Sequence, residues 1–488
     1  MIVNIEQRIG KMIISYIKKD GEIGFSQFNV PSNHQFAYQY ARYSNRAVQG
    51  LTSWDNKPVQ IVPAQFLNKH RIQEFFMDAG EENVQHLFEH NMPKLHSVDI
   101  EVDVTDEGFA EPADATNRIN SITTTCYPNI VAFGVKPLSG NECDAIEKNI
   151  NEHVSKFGKT YNFTYKYFEN EADMLYDYLY NYARHAPLIT GWYFWGYDWQ
   201  YILNRCKRLN LNIKWVSPTQ QWYGHSLSSR KKDANGKEIK TRIQLPQHKL
   251  IVDYMEIYKK WDRTVEVKEN DTLDFVAEAV LGIKKVKYPG TLRDLFTKDF
   301  EQYIFYNAID TVLVELIHEH IKTMGTFLGL GNITRVEAMS AFSPIAMLEA
   351  TMTRYAYNKN KVFPKIEMKN KREEYKGAYV FEPKPDLYPW VASFDFASLY
   401  PSIMRQFMMS VENFIIKDKN FIPTENQIKC TSGAVFDASQ EYLIPEILTD
   451  YYSQRKNAKK ISIDAEKDMA ELQKILRERK LIGSQSLS

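Results

Sequence analysis

The sequence predicts a mixed α/β protein built from more than one packed unit. The chain has 488 residues, more than a single hydrophobic core usually spans, so two or three units are expected. Strand-like alternation takes turns with helical patterns between about residues 95 and 322, which is the mark of an α/β domain. Hydrophobic residues make up 44% and charged residues 25%, an ordinary globular mixture.

Residues 1 to 93 read as mixed α/β, with a strand at Lys11–Tyr16 and a helix over Pro63–Ala79. His96–Val102 alternates like a strand, and Ile130–Val135 suggests its neighbour. Glu171–Ala186 has a helical period, and Leu188–Trp192 is a strand ending in a turn. The polar stretch Arg230–Thr241 contains Asn235-Gly236, a type I′ hairpin signal, though a solvated loop has the same composition. Ile251–Tyr254 is a further strand and Asp299–His320 a long helix. Residues 323–366 are apolar and helix-rich, with Gly and Pro breaks. Strands are then expected at Gly377–Phe381 and Val391–Phe396, a charged helix at Ile444–Arg479, and a frayed tail from Gly483. No internal repeat is evident.

Composition narrows function only a little. The 61 basic and 61 acidic residues cancel. A basic track and an acidic metal pocket can cancel in the same way, so charge neither supports nor excludes nucleic acid. Aromatics reach 13%, for which a rich core is a plainer reading than base stacking. None of Cys126, Cys143, Cys206 and Cys430 forms a CxxC pair, so neither a zinc site nor a disulfide framework is indicated. Apolar runs stay short of the ~18 residues a membrane helix needs. A soluble cytoplasmic protein with reduced thiols and no membrane partner is expected.

Asp99 and Glu101 are two apart on a predicted strand and therefore share a face. Carboxylates held that close repel each other, and a hard divalent cation, Mg²⁺ or Mn²⁺, relieves the repulsion. Alone, such a pair is usually a solvated strand face. Asp198 comes after an apolar strand and turn, in Gly196-Tyr197-Asp198. Tyr306 and Asp310 are one turn apart on a predicted helix. Each is common by chance, but their order within one α/β domain is not. It resembles the three exonuclease motifs of the proofreading DEDD family, in its tyrosine variant with a ribonuclease-H-like fold. The resemblance implies that Asp99, Glu101, Asp198 and Asp310 hold two metal ions and that Tyr306 orients the attacking water. One departure is Tyr193, where the second motif usually has Asn; it bears on how the single strand is gripped.

The segment Ser393-Phe394-Asp395-Phe396-Ala397-Ser398-Leu399-Tyr400-Pro401-Ser402 reads as a buried strand ending in Asp395, with Pro401 halting the segment beyond it. A bare Asp there would be read as a helix cap. The full string resembles motif A of the family B DNA polymerases, of the replicative type found in tailed phages. Lys376-Gly377-Ala378-Tyr379-Val380-Phe381 resembles the family's short Gly motif, and Ser343-Pro344 lies in the connecting region. The resemblance implies that Asp395 is a catalytic metal-binding aspartate, assisted by the backbone of Phe396. The backbones of Ser398, Leu399 and Tyr400 would line the triphosphate site, and the Tyr400 ring would exclude a 2′-hydroxyl. Arg455 and Lys459, four apart on a helix, would bind the triphosphate; alone they read as a solvated basic face.

The family's Asn-Ser-Leu-Tyr-Gly and Tyr-Gly-Asp-Thr-Asp strings do not occur. With one of two metal-binding aspartates, the chain alone is expected not to extend primers. A subunit of a split polymerase and a truncated product both fit, and the first is the preferred expectation. Expected partners are primer-template DNA, a single-stranded 3′ end, dNTP, a C-terminal polymerase chain, and a sliding clamp reached through that second chain. The setting would be an infected bacterial cytoplasm. A stand-alone exonuclease and a non-catalytic single-strand-binding module are the alternatives. The expected division is an N-terminal domain over 1–93 completed by 323–366, an exonuclease over 94–322, a partial palm over 367–442, and the first fingers helix over 443–488.

Overall fold

The computed structural model describes residues 1–104, 108, 110–227, 241–262, 270–288, 290–365 and 379–478. The chain separates into two compact units, Met1–His34 with Asp78–Ala350, and Gln35–Met77 with Thr351–Ser488.

The first unit is organised around a six-stranded sheet. Its strand order is Asn162–Tyr167, Asn129–Gly134, Ile119–Cys126, Leu95–Val102, Leu188–Gly191 and Leu250–Asp253. The three strands Leu95–Val102, Ile119–Cys126 and Asn129–Gly134 form an antiparallel meander. The outer strands on both sides run parallel to their neighbours. This is the ribonuclease-H-like layout. Alternation decides the faces of its central strand. Val98, Ile100 and Val102 are buried in the core, so Asp99 and Glu101 look the other way.

On that other face lies the long helix Phe300–Ile321, capped by Asp299, whose Oδ1 accepts from the Gln302 N–H at 3.1 Å. Register places Thr123 opposite Asp99 and Ser121 opposite Glu101. The hydroxyls of Ser121 and Thr123 donate to Asn307 Oδ1 at 3.2 and 2.5 Å, and Thr125 meets Thr311 at 2.6 Å. Buried hydroxyls need partners. This polar seam therefore fixes which turn of the helix stands over the acids. A three-stranded antiparallel sheet, Ile2–Arg8, Lys11–Ile17 and Ile23–Asn29, also belongs to this unit. The strands Trp222–Leu227 and Thr241–Pro246 pair as a hairpin, and the Asn235-Gly236 turn expected to join them lies outside the described residues.

In the second unit the expected Pro63–Ala79 helix is shorter. Pro63 ends the strand Val59–Pro63, and the helix Lys69–Asp78 begins where Asn68 Oδ1 accepts from the backbone of His70 and Arg71 at 3.0 and 2.9 Å. The expected strand Val391–Phe396 is absent, and Tyr379–Phe381 is likewise not a strand; residues 377 and 378 lie outside the described ones. These segments are exposed and have no ladder partner among the described residues. An apolar alternation needs a neighbour to become a strand. Asp395 is thus neither buried nor at a strand end. Pro401 does not halt the chain but sits in the first turn of the helix Leu399–Gln406, where its missing N–H costs nothing. Beyond it come a three-stranded sheet and the helix Leu443–Glu478; the tail from Gly483 lies outside the described residues.

Candidate active site

Carboxylate oxygens of Asp99, Glu101 and Asp310 lie within 4.8 Å of one another. The strand supplies the first two and the long helix the third. Glu101 and Asp310 are buried and Asp99 is half-buried. Asp198 opens the helix Asp198–Arg208, and its Oδ1 accepts from the backbone N–H of Ile100 at 3.2 Å. The fourth acid is therefore tied to the residue between the first two, although it stands outside the converging trio. The chain reaches Asp198 through a tight turn after Leu188–Gly191. A Cβ at Gly191 would collide with the Val98 carbonyl and come 2.8 Å from Phe194 Cδ2, so only glycine lets this strand end approach so closely.

The electrostatics are those of a crowded acidic pocket. Burial, then the charge of Asp310, pushes Asp99 up to about 7, against the pull of Lys285 and Asn307. Burial, then Asp99 and Asp310, holds Glu101 well above the usual carboxylate range. Asp198 is raised by burial and then by Asp99. Burial also raises Asp310, while Lys285 opposes it. Lys285 pairs with Asp310 Oδ2 and lies over the Tyr306 ring, 4.9 Å from its centroid. Burial and the charge of Asp310 raise the Tyr306 phenol, so it keeps its proton at neutral pH.

These residues fit a hard divalent cation. The donors are all carboxylate oxygens, and one lysine does not neutralise them. Asp310 Oδ1 is buried and has no hydrogen-bond partner among the described residues, a costly state for a carboxylate without a cation. Asp99 and Asp310 line a cleft of about 1240 Å³ that also takes in Trp192, Tyr193, Lys259 and Lys260.

The polymerase-like residues lie in the second unit. Asp395, Phe396, Leu399 and Tyr400 are exposed. Arg455, on the Leu443–Glu478 helix, donates from Nη1 to Ser398 Oγ at 3.2 Å. One of the two basic residues thus meets the motif carrying Asp395. Lys459 lies one turn further along and is exposed.

Residues 68–262 match the exonuclease domain of DNA polymerase family B, and residues 346–482 match DNA polymerase family B itself. The chain belongs to DNA polymerase family B. It is 27% identical over 417 residues to the DNA-directed DNA polymerase of Escherichia phage RB69, covering 79% of this chain and 44% of that protein. With the DNA-directed DNA polymerase of Enterobacteria phage T4 it shares 27% identity over 406 residues, 77% of this chain and 43% of that one. A stretch of 164 residues, 32% of this chain and 15% of the relative, is 33% identical to the DNA polymerase delta catalytic subunit of Glycine max. The chain therefore spans less than half the length of these relatives. Exonuclease domains of family B use divalent metals, in accord with the carboxylate cluster.

Three residues of this family B site escaped the sequence reading. Asn307 Nδ2 donates to Asp99 Oδ2 at 2.6 Å while its Oδ1 holds the seam. Its adjacency to Tyr306 was the available signal. Lys285 carries no local pattern that points to Asp310. Asp253 ends a strand and accepts from the Trp195 and Met255 N–H groups, each at 3.0 Å, bracing the turn that leads to Asp198. No helix among the described residues is long and apolar enough to cross a membrane.

Proposed function

We propose that this chain is the N-terminal portion of a DNA-directed DNA polymerase and that its first unit trims single-stranded DNA 3′ ends for proofreading. The observation that carries the reading is the convergence of Asp99, Glu101 and Asp310, with one buried oxygen of Asp310 unpartnered among the described residues. Asp99, Glu101, Asp198 and Asp310 would hold two Mg²⁺ or Mn²⁺ ions. Such ions lower the pKa of an attacking water and neutralise the leaving 3′ oxygen. Tyr306, kept protonated by burial, orients that water through its hydroxyl. Lys285 holds Asp310 and Tyr306 in register. Phosphodiester cleavage here needs no protein nucleophile.

In the second unit, Asp395 with the Phe396 backbone would be one half of the nucleotidyl-transfer metal site. Ser398, Leu399, Tyr400, Arg455 and Lys459 would seat the dNTP, a role supported by the Arg455–Ser398 contact. A further polypeptide carrying Tyr-Gly-Asp-Thr-Asp would complete the site and provide access to a sliding clamp, in an infected bacterial cytoplasm. The division into an N-terminal domain (1–93 with 323–366), exonuclease (94–322), partial palm (367–442) and fingers helix (443–488) belongs to the same reading.

The deciding measurement is digestion of a 3′-labelled single-stranded oligonucleotide. Shortening should require Mg²⁺ or Mn²⁺ and disappear in Asp99→Ala. Digestion that persists in EDTA, or that survives Asp99→Ala, removes the basis of the proposal.

A further inference from the structure

We propose that Tyr193 is a base-stacking platform that seats an unpaired nucleobase of the substrate strand in the acidic cleft. The idea rests on the exonuclease reading of that cleft and adds to it a residue outside the acid set.

In the run Trp192-Tyr193-Phe194-Trp195, residue type alone does not say which of the four aromatic rings is presented to a ligand. The structure separates them. Phe194 and Trp195 are buried, and Trp192 is anchored by its Nε1, which donates to the Asp271 carbonyl at 2.7 Å. Tyr193 is 53% exposed and lines the same cleft as Asp99 and Asp310. Its hydroxyl makes no hydrogen bond to a described residue, so the ring, not the polar tip, is what it presents.

Its backbone points the same way. Tyr193 has φ 59°, a left-handed conformation that Asn adopts readily and bulky residues rarely do. A left-handed backbone at a bulky residue is strained and persists where the surroundings or a function offset it. The turn is held by the N–H groups of Gly196 and Tyr197, both donating to the Tyr193 carbonyl at 3.0 Å. Gly196 also makes room for the ring: a Cβ there would overlap Tyr193 at Cζ, Cε1 and Cε2. The ring is propped along bare backbone on one side and open to the cleft on the other.

A flat ring at the mouth of a pocket built to cleave phosphodiesters suits one ligand class. Every nucleobase has a π-face, so stacking holds a single strand without regard to sequence. Lys259 and Lys260 line the same cleft, Lys259 paired with Glu256 and Asp271 and Lys260 donating to the Phe342 carbonyl.

The test uses the whole chain and a single-stranded oligonucleotide with 2-aminopurine near its 3′ end. Fluorescence is read in EDTA, and KM and kcat are read on the same strand with Mg²⁺. The wild type should quench the probe on binding. Tyr193→Ala and Tyr193→Asn should lose most of the quench and raise KM on the order of tenfold or more, with kcat falling far less. Tyr193→Phe should behave as the wild type. Tyr193→Asn relieves the backbone strain, so its loss of quench would not be a folding defect. An unchanged KM and quench in Tyr193→Ala, or a Phe variant as weak as Ala, overturns the proposal. Tyr193-dependent quenching without any metal-dependent digestion would support stacking while sinking the exonuclease reading. A strand that is neither bound nor cut by the wild type ends both.

Discussion

Asp99 is held in a conflict that only a ligand resolves. Burial and Asp310 push it up to about 7, whereas an unfolded Asp titrates near about 3.9. Between those values the folded chain keeps a proton that the unfolded chain has released. The raised value therefore contributes stability that is complete below about pH 4 and is lost as pH rises through about 7. The metal-free protein should melt at lower temperature as pH climbs through that window. Asp99→Asn should flatten the dependence and raise the melting temperature at pH 8 by a few degrees, as about 1 kcal/mol would in a domain of this size. Thermal melts in EDTA from pH 5 to 8 measure it, and a slope identical in wild type and variant would contradict the electrostatic account. Asn307 acts on the same carboxylate from the helix side. Asn307→Ala frees Asp99 Oδ2 and leaves Ser121 and Thr123 without their shared acceptor. Partners of this sort typically cost about 10–100-fold in metal affinity or activity when removed, so the Mg²⁺ concentration for half-maximal digestion should rise by about that range. An unshifted Mg²⁺ titration would show that Asp99 needs no such support.

The strand Leu188–Gly191 and the turn after it do more for the site than their length suggests. The strand end must pass against Val98 before the chain swings back to deliver Asp198. Gly191→Ala puts a Cβ into the Val98 carbonyl and against Phe194, and overpacking of this kind costs typically about 1–3 kcal/mol. The urea midpoint should fall accordingly, and digestion should fall with it because Asp198 is displaced. A variant as stable and as active as the wild type would mean the turn has slack. The same region shows what a sequence discloses about elements. The strand–turn–acid order was legible because periodicity and residue type are local properties; Asp99 and Glu101 share a strand face, whereas Asp198 and Asp310 were picked out by the resemblance of their order to the exonuclease motifs. Lys285 and Asp253 were not, because their meaning comes from partners distant in the chain. The expected strand Val391–Phe396 failed for a related reason: alternation records a wish for a neighbour, not its presence.

For the molecule as a whole, the unsatisfied surface is concentrated in the second unit. Trp390 and Phe394 are 92% and 93% exposed, and they lie just ahead of Asp395 in the chain. Burying a large apolar side chain is worth roughly 1.5–3 kcal/mol, so a polypeptide that covers this segment and lends it a strand partner is favoured by the same physics that denies it a strand here. Charge gives the same direction. Arg455 reaches Ser398 beside Asp395, yet one carboxylate cannot fix two divalent ions for an in-line transfer. The chain of this sequence should therefore not extend a primer by itself. Mixed with a polypeptide carrying Tyr-Gly-Asp-Thr-Asp, it should incorporate dNTP on a primer-template, and Asp395→Ala should abolish that incorporation. Arg455→Ala should raise the KM for dNTP on the order of tenfold, the scale of one charge-assisted phosphate contact. Extension by this chain without the second polypeptide, or extension that survives Asp395→Ala, would place the transfer chemistry elsewhere and leave Asp395 a surface residue.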